Sequence, residues 1–360
     1  GSSVRPPTGA VESAAPPPPP SSVRPPAGAA IPQPTDPTAD KGAIFDNEMW
    51  RRVRGGLQGT VSIPDKKAGQ LVQSDGELWR NLRNGPLPTY GAWAMAGIVG
   101  LLALFFLIRG RIRIEHGWAG RTITRFTDIE RMGHWLLATS FIILALSGLN
   151  LMYGRYVVLP VVGKEVFATL TIYGKWLHNY VAFAFMIGLI LTFAMWVVHN
   201  LPHWRDIVWL LRGGGMFVKG SHPPAWKFNA GQKILFWLVM LGGLSISLSG
   251  ISLMFPFQAP MFAKTFAVLN VFGLALPTSL SPVQEMQYAT TWHGIVALFL
   301  IVVIIAHIYI GTLGMEGAFS AMGTGEVDVN WAKEHHSLWA EQVLSGRQDA
   351  EPSARPVPAE

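Results

Sequence analysis

Five long apolar stretches occupy the chain beyond residue 90, and polar segments separate them. Residues 91–108 carry no charge and stop at Arg109. Residues 135–154 lie between His134 and Arg155, and residues 176–204 hold His178 near one end and His199 and His203 near the other. Residues 234–263 include Pro256 at the expected exit, and residues 286–315 carry His293 and His307. Each stretch approaches or exceeds the ~20 residues that a helix needs to cross a ~30 Å hydrocarbon core. The pattern predicts five transmembrane helices and an all-α membrane protein.

The polar segments set the orientation. Residues 109–133 carry six Lys or Arg and residues 202–233 carry five, against three in 155–175 and one in 255–285. Eleven against four places the first two segments and the C-terminus in the cytoplasm by the positive-inside rule. The N-terminal region is then expected outside, in the periplasm of a bacterial inner membrane. The domains expected are a Pro-rich disordered arm over 1–39, a periplasmic segment over 40–90, and an extra helix over 91–108. A cytoplasmic loop over 109–133, a four-helix bundle over 134–315, a cytoplasmic interfacial helix region over 316–344 and a disordered tail over 345–360 complete them. Twelve of the 26 prolines fall in the arm, whose composition buries no apolar surface. No charged stretch followed by an apolar one precedes it, so a signal peptide is expected to be absent or already removed. Trp331 and Trp339 suggest an interfacial anchor, with His335 and His336 as a solvated pair.

Composition sharpens this picture in two ways. Only 14% of residues are charged while 50% are hydrophobic, which excludes ordinary soluble folding. The net charge of +6 is accounted for by inward-facing loops, and no nucleic-acid partner is expected. Cysteine is absent. That removes a protein-ligated Fe–S cluster, covalent c-type haem, a Cys nucleophile and a disulfide framework together. A metal or an electron must be handled by the ten histidines.

Histidines inside apolar helices are functional candidates. His293 and His307 are 14 residues apart, a rise of about 21 Å and about 40° short of four full turns, so both leave one helix face. Helix direction puts His293 at the depth of His178, and His307 near the depth of His134. Two imidazole pairs at two levels of a four-helix bundle suit two b haems, because bis-imidazole ligation takes one His from each of two facing helices. Gly148, Gly188, Gly294 and Gly311 offer either room for a macrocycle or close helix contact. A di-metal site is disfavoured because no Asp or Glu lies in the spans. His199 and His203 read as interfacial residues or propionate partners, while His116 and His222 sit in unremarkable loops.

The segment Arg125-Phe-Thr-Asp-Ile-Glu-Arg-Met-Gly-His134-Trp, followed by Leu-Ala-Leu-Ser-Gly148, resembles the start of the cytochrome b (gamma) subunit of membrane-bound, quinone-reducing formate dehydrogenases. Trp176-Leu-His178, His199-Asn-Leu-Pro202, Lys227-Phe-Asn-Ala-Gly-Gln-Lys233 and Trp331-Ala-Lys-Glu-His335-His336 continue the resemblance, which covers about 122–344. It implies a di-haem bundle of four helices, leaving the first helix as an extra. One haem would be held by His178 and His293 on the periplasmic side, the other by His134 and His307 on the cytoplasmic side. It also implies a quinone site formed with Asn229, Gly231, Gln232 and His307. Asn and Gln can hydrogen-bond quinone oxygens, and a glycine admits a ring to the backbone. The same segment also reads as a helix-start turn.

The partners implied are an Fe–S electron-transfer subunit and a molybdenum- or tungsten-containing catalytic subunit, with quinone and the lipid bilayer. Formate oxidation would reside on the catalytic subunit. Electrons moving inward oppose the membrane potential at about 2.3 kcal/mol per 100 mV, which the redox drop must exceed. The rivals are a hydrogenase-type cytochrome b with another donor, and a non-redox membrane anchor or transporter.

Overall fold

The computed structural model describes residues 58–60, 70–218, 220–255 and 258–350. The Pro-rich arm expected over 1–39, the stretch from Trp50 to Arg54 and the final ten residues lie outside them. Strands β1 (Gln58–Thr60) and β2 (Gln70–Val72) pair antiparallel and lead into the short helix α1 (Gln73–Asn84). Helix α2 (Pro86–Arg109) follows, with proline in its first turn, where a missing N–H costs nothing.

Four more long helices make the bundle: α3 (Asp128–Val157), α4 (Leu159–Trp196), α6 (Ala230–Met254) and α8 (Pro282–Tyr309). With α2 they are the five helices long and apolar enough to cross a bilayer. Three begin at a capping box, Thr127 with Glu130, Asn229 with Gln232 and Ser281 with Gln284, which satisfies the first backbone donors reciprocally. Between α4 and α6 lies the short α5 (Trp204–Leu211), and α7 (Phe262–Asn270) precedes α8. A wide helical turn, Ile310–Gly314, ends α8.

The connection expected over 155–175 is helical rather than a loop. Only Val158 separates α3 from α4, and α4 runs 38 residues. Its first turns are interrupted at Gly163, whose φ of +79° is open to glycine at little cost. Helix α4 therefore starts well before Trp176.

Helix α3 packs along α4, α6 along α8, α4 against α6, and α2 against α8. Glycines set these distances. An added Cβ on Gly188 would stand 2.8 Å from the Leu137 nitrogen, and one on Gly243 would stand 2.8 Å from Leu189. The phenol of Tyr153 on α3 donates to the Pro88 carbonyl at 2.7 Å, tying α2 to the bundle. Outward faces are apolar, with Leu107 81% and Val161 82% exposed, as a lipid-facing surface requires.

The segments beside His134 and His307 form a small covering layer. Strand β3 (Thr122–Thr124) pairs antiparallel with β4 (Glu326–Asp328), and Ile112 bridges to Met315. The short α9 (Ser320–Gly323) precedes β4, and α10 (Val329–His335) and α11 (Ser337–Ala350) follow it. Ile123, Val327, Trp331 and Ala332 belong to the same apolar core as Leu137 and Trp196 of the bundle. Three expectations are corrected here. Trp331 and Trp339 are buried in protein rather than anchored in lipid. His336 is 1% exposed and is not a solvated residue. Helix α11 also continues past Leu344, so the tail does not begin at 345.

Candidate functional site

The four histidines singled out by spacing meet as two pairs. The His134 and His307 rings lie 6.3 Å apart between centroids, and those of His178 and His293 lie 6.2 Å apart. His134 sits in the second turn of α3 and His307 in the last turn of α8. His178 lies near the middle of α4, and His293 lies in α8 on the same face as His307. The helices that carry the facing rings, α3 against α8 and α4 against α8, are not among the closely packed pairs. Imidazoles thus face each other across helices held apart.

Hydrogen bonding differs between the levels. Ser147 Oγ lies 2.8 Å from His178 Nδ1, and Ser249 Oγ lies 3.1 Å from His293 Nδ1. His134 Nδ1 is buried with no partner. The two serines escaped the sequence reading, although Leu146-Ser-Gly148 on α3 and Leu248-Ser-Gly250 on α6 repeat one another.

The residues fit haem iron. Imidazole binds a first-row metal at about 2 Å. The observed centroid separations leave room for a metal held between the two rings of each pair. Among the described residues no group of three or more His, Cys, Asp or Glu side chains converges on a metal position. Each level therefore offers two protein donors, which suits a metal that brings its remaining ligands with it. Of the four glycines marked from sequence, Gly148 faces the His178 ring, 3.5 Å from where a Cβ would stand. Gly188 and Gly294 instead serve helix contacts, against Leu137 and against Leu87 and Met152, while Gly311 has open space.

The segment before α6 lies toward the His134 end. Trp196 lies tilted against both His134 and Phe228, and its indole donates to Glu130 at 2.9 Å. Lys227 pairs with the same carboxylate at 2.7 Å. Asn229 Oδ1 accepts the Gln232 N–H at 3.0 Å, and Gln232 Oε1 accepts the Asn229 N–H at 3.1 Å. The helix-start reading is thereby realised. Both amide NH2 groups remain without a hydrogen-bond partner among the described residues and are free to donate. Gly231 also lies against α5. Its open face meets the Trp209 indole, 3.1 Å from where a Cβ would stand, so glycine there admits a tryptophan.

The remaining histidines divide between surface and covering layer. His199 and His203 are exposed, and His203 caps α5 by accepting the Arg205 N–H at 3.2 Å. The loop histidines acquire partners that their sequence neighbourhood does not mark. His116 meets Glu334 at 2.8 Å, and His222 meets Glu115 at 3.0 Å. Burial works to raise the Glu334 carboxyl, but hydrogen bonds from the His116 N–H and ring hold it below the usual range. Glu115 is held low by the Gly220 N–H and then by His222. Burial pushes His335 down to about 4 and holds His336 well below its ordinary value. Burial also lowers Arg125 to about 9, leaving it charged among Phe126, Trp331 and Trp339.

Comparison with known proteins agrees with this architecture. A family model for prokaryotic cytochrome b561 matches residues 125–325, more than half the chain. The formate dehydrogenase cytochrome b556(fdo) subunit of Escherichia coli K12 is 29% identical over 223 residues, 62% of this chain and 93% of that protein. The nitrate-inducible cytochrome b556(Fdn) subunit of the same organism is 28% identical over 225 residues, 62% and 92%. The formate dehydrogenase cytochrome b556 subunit of Haemophilus influenzae is 27% identical over 227 residues, 62% and 84%. A helical bundle with five apolar spans, two facing imidazole pairs and this match identify the chain as a multi-pass membrane protein of the prokaryotic cytochrome b561 family.

Proposed function

We propose that this chain is the membrane cytochrome b subunit of a formate dehydrogenase complex, carrying electrons from a periplasmic Fe–S subunit to quinone near the cytoplasmic face. The observation that carries the reading is the pair of facing imidazole couples, 6.2 and 6.3 Å between centroids. His178 with His293 would hold one b haem and His134 with His307 the other. Bound there, haem iron would supply reversible one-electron transfer, which a chain without cysteine cannot supply through a thiolate-held Fe–S cluster.

The residues divide the work by depth. His293 and His307 on one face of α8 separate the two levels by about 21 Å of helix rise, most of the apolar core. The exposed apolar faces hold the bundle in lipid; with the basic loops inside, the segment before α2 would lie in the periplasm and the segment after α8 in the cytoplasm. Quinone would bind beside His307, where the free amide groups of Asn229 and Gln232 donate to its oxygens. Glu130 and Lys227 fix the approach to that segment by pairing at 2.7 Å. The covering layer brings ionisable groups to this end, from which the two protons of quinone reduction would come. Formate oxidation would belong to a molybdenum- or tungsten-containing partner subunit.

The test is a reduced-minus-oxidised spectrum of the purified chain with quantification of extracted haem. Two b haems per chain are expected; no b-type bands would remove the reading. Identifying the subunits that co-purify separates a formate dehydrogenase from a hydrogenase-type complex.

A further inference from the structure

The two serines beside the His178–His293 pair do something that burial alone does not require. Ser147 Oγ donates its single proton along its own helix, with the Ile143 carbonyl at 2.7 Å and that of Leu144 at 3.1 Å. A hydroxyl that keeps its proton on these carbonyls accepts from His178 Nδ1 at 2.8 Å, with the imidazole proton on Nδ1. Ser249 repeats the arrangement. Its hydroxyl has the Ile246 carbonyl at 3.0 Å and that of Ser245 at 3.2 Å, and its oxygen lies 3.1 Å from His293 Nδ1. The Leu144 backbone also hydrogen-bonds the His178 ring and the Ile246 backbone the His293 ring, and no further hydrogen-bond partner of either ring lies among the described residues. A histidine serving only as a polar plug would gain by satisfying both nitrogens. These two are held at one and left open at the other.

The arrangement is also symmetric. In each helix pair the Leu-Ser-Gly sequence lies on the earlier helix, α3 or α6, and the histidine on the later one, α4 or α8. In each, the glycine after the serine lies under the ring, with an added Cβ 3.5 Å from His178 Cε1 or 3.4 Å from His293 Cε1. The other level lacks a matching device at His134, whose buried Nδ1 has no partner.

We propose that Ser147 and Ser249 are positioning residues that lock His178 and His293 with Nε2 free for iron, and that this makes theirs the lower-potential haem. The proposal rests on the di-haem reading above. An acceptor on Nδ1–H makes an imidazole a stronger donor and favours the oxidised metal. The level with two such acceptors is poised lower than the level where one imidazole has none. Electrons entering at His178–His293 then have a downhill step toward His134–His307, in the sense needed against the membrane potential.

The experiment is a potentiometric titration of the b-type absorption in the full-length purified chain, comparing wild type with Ser147→Ala, Ser249→Ala and the two Ser→Thr variants. Two waves are expected in the wild type. Each alanine variant should move the lower wave upward by about tenfold in the reduced-to-oxidised ratio, about 59 mV for one electron, while the upper wave stays. The threonine variants, which keep the hydroxyl, should restore the wild-type position. Loss of the lower-potential component from the alanine variants alone supports the same assignment. An unmoved lower wave, a shift of the upper wave, or equal disturbance by alanine and threonine overturns it. A wild-type chain with no b-type bands fails the haem reading itself and the serine assignment with it, a result distinct from two normal waves insensitive to serine.

Discussion

Gly188 on α4 faces the backbone of Leu137 on α3 so closely that a Cβ built on the glycine would lie 2.8 Å from the Leu137 nitrogen and 2.9 Å from its Cα. Backbone cannot rotate away as a side chain can, so Gly188→Ala must push the helices apart. Helix propensity favours alanine by up to about 1 kcal/mol, and overpacking costs about 1–3 kcal/mol. Net destabilisation is expected, read as a lower thermal midpoint in detergent. Gly311→Ala, with nothing within 4 Å, should show no such loss.

Replacing His307 by alanine should remove one haem of two and abolish quinol formation, while electrons still reach the remaining haem. Haem content and single-turnover reduction by an external donor check this. Retention of both haems would show that the pairing with His134 is wrong.

Gln232→Glu separates the cap from the donor. The carboxylate still accepts the Asn229 N–H and still faces Arg125, so α6 should begin as before. It loses the amide donor. Loss of one hydrogen bond to substrate costs about 1–3 kcal/mol, and the KM for quinone should rise by about tenfold or more with haem content unchanged. An unchanged KM would place quinone elsewhere.

Acid should loosen the covering layer before the bundle. His335 and His336 are buried with their folded-state pKa values depressed, His335 to about 4. The unfolded chain therefore binds protons first as pH falls below about 6.5, and folding loses stability from there down to about pH 4. For His335 the loss is bounded by about 3 kcal/mol, at 1.36 kcal/mol per unit. Protease sensitivity of α10 and α11 should rise over that window, and His336→Asn should flatten the dependence.

Sequence pattern reveals the bundle because lipid imposes a long, one-dimensional requirement that hydropathy detects, and because 14 residues on one helix bring His293 and His307 to one face. The covering layer is invisible to the same reading. Thr122–Thr124 pairs with Glu326–Asp328 across some two hundred residues, and three-residue strands carry no periodicity. His336 looked solvated because adjacent helical residues diverge, but the helix stops there: His336 caps α10 with φ −146° and gives its ring to the Trp226 carbonyl at 2.7 Å. Ser147 and Ser249 were passed over because a serine in an apolar helix usually satisfies itself on its own carbonyls, as both of these also do. The repeated Leu-Ser-Gly was the available signal.

The pairing of β3 with β4 has a consequence for how the molecule is made. Gly325, at φ +88°, turns the chain into β4 and accepts the N–H groups of Arg125 and Phe126 at 2.8 and 3.2 Å, just ahead of the helix that carries His134. Everything needed to align His178 with His293 has been synthesised by the middle of α8. The clasp that steadies the entrance of α3 against the exit of α8 arrives only with Gly325 and β4, after α8 is complete. The His178–His293 pair can thus be in place while the clasp beside His134 is still to be made.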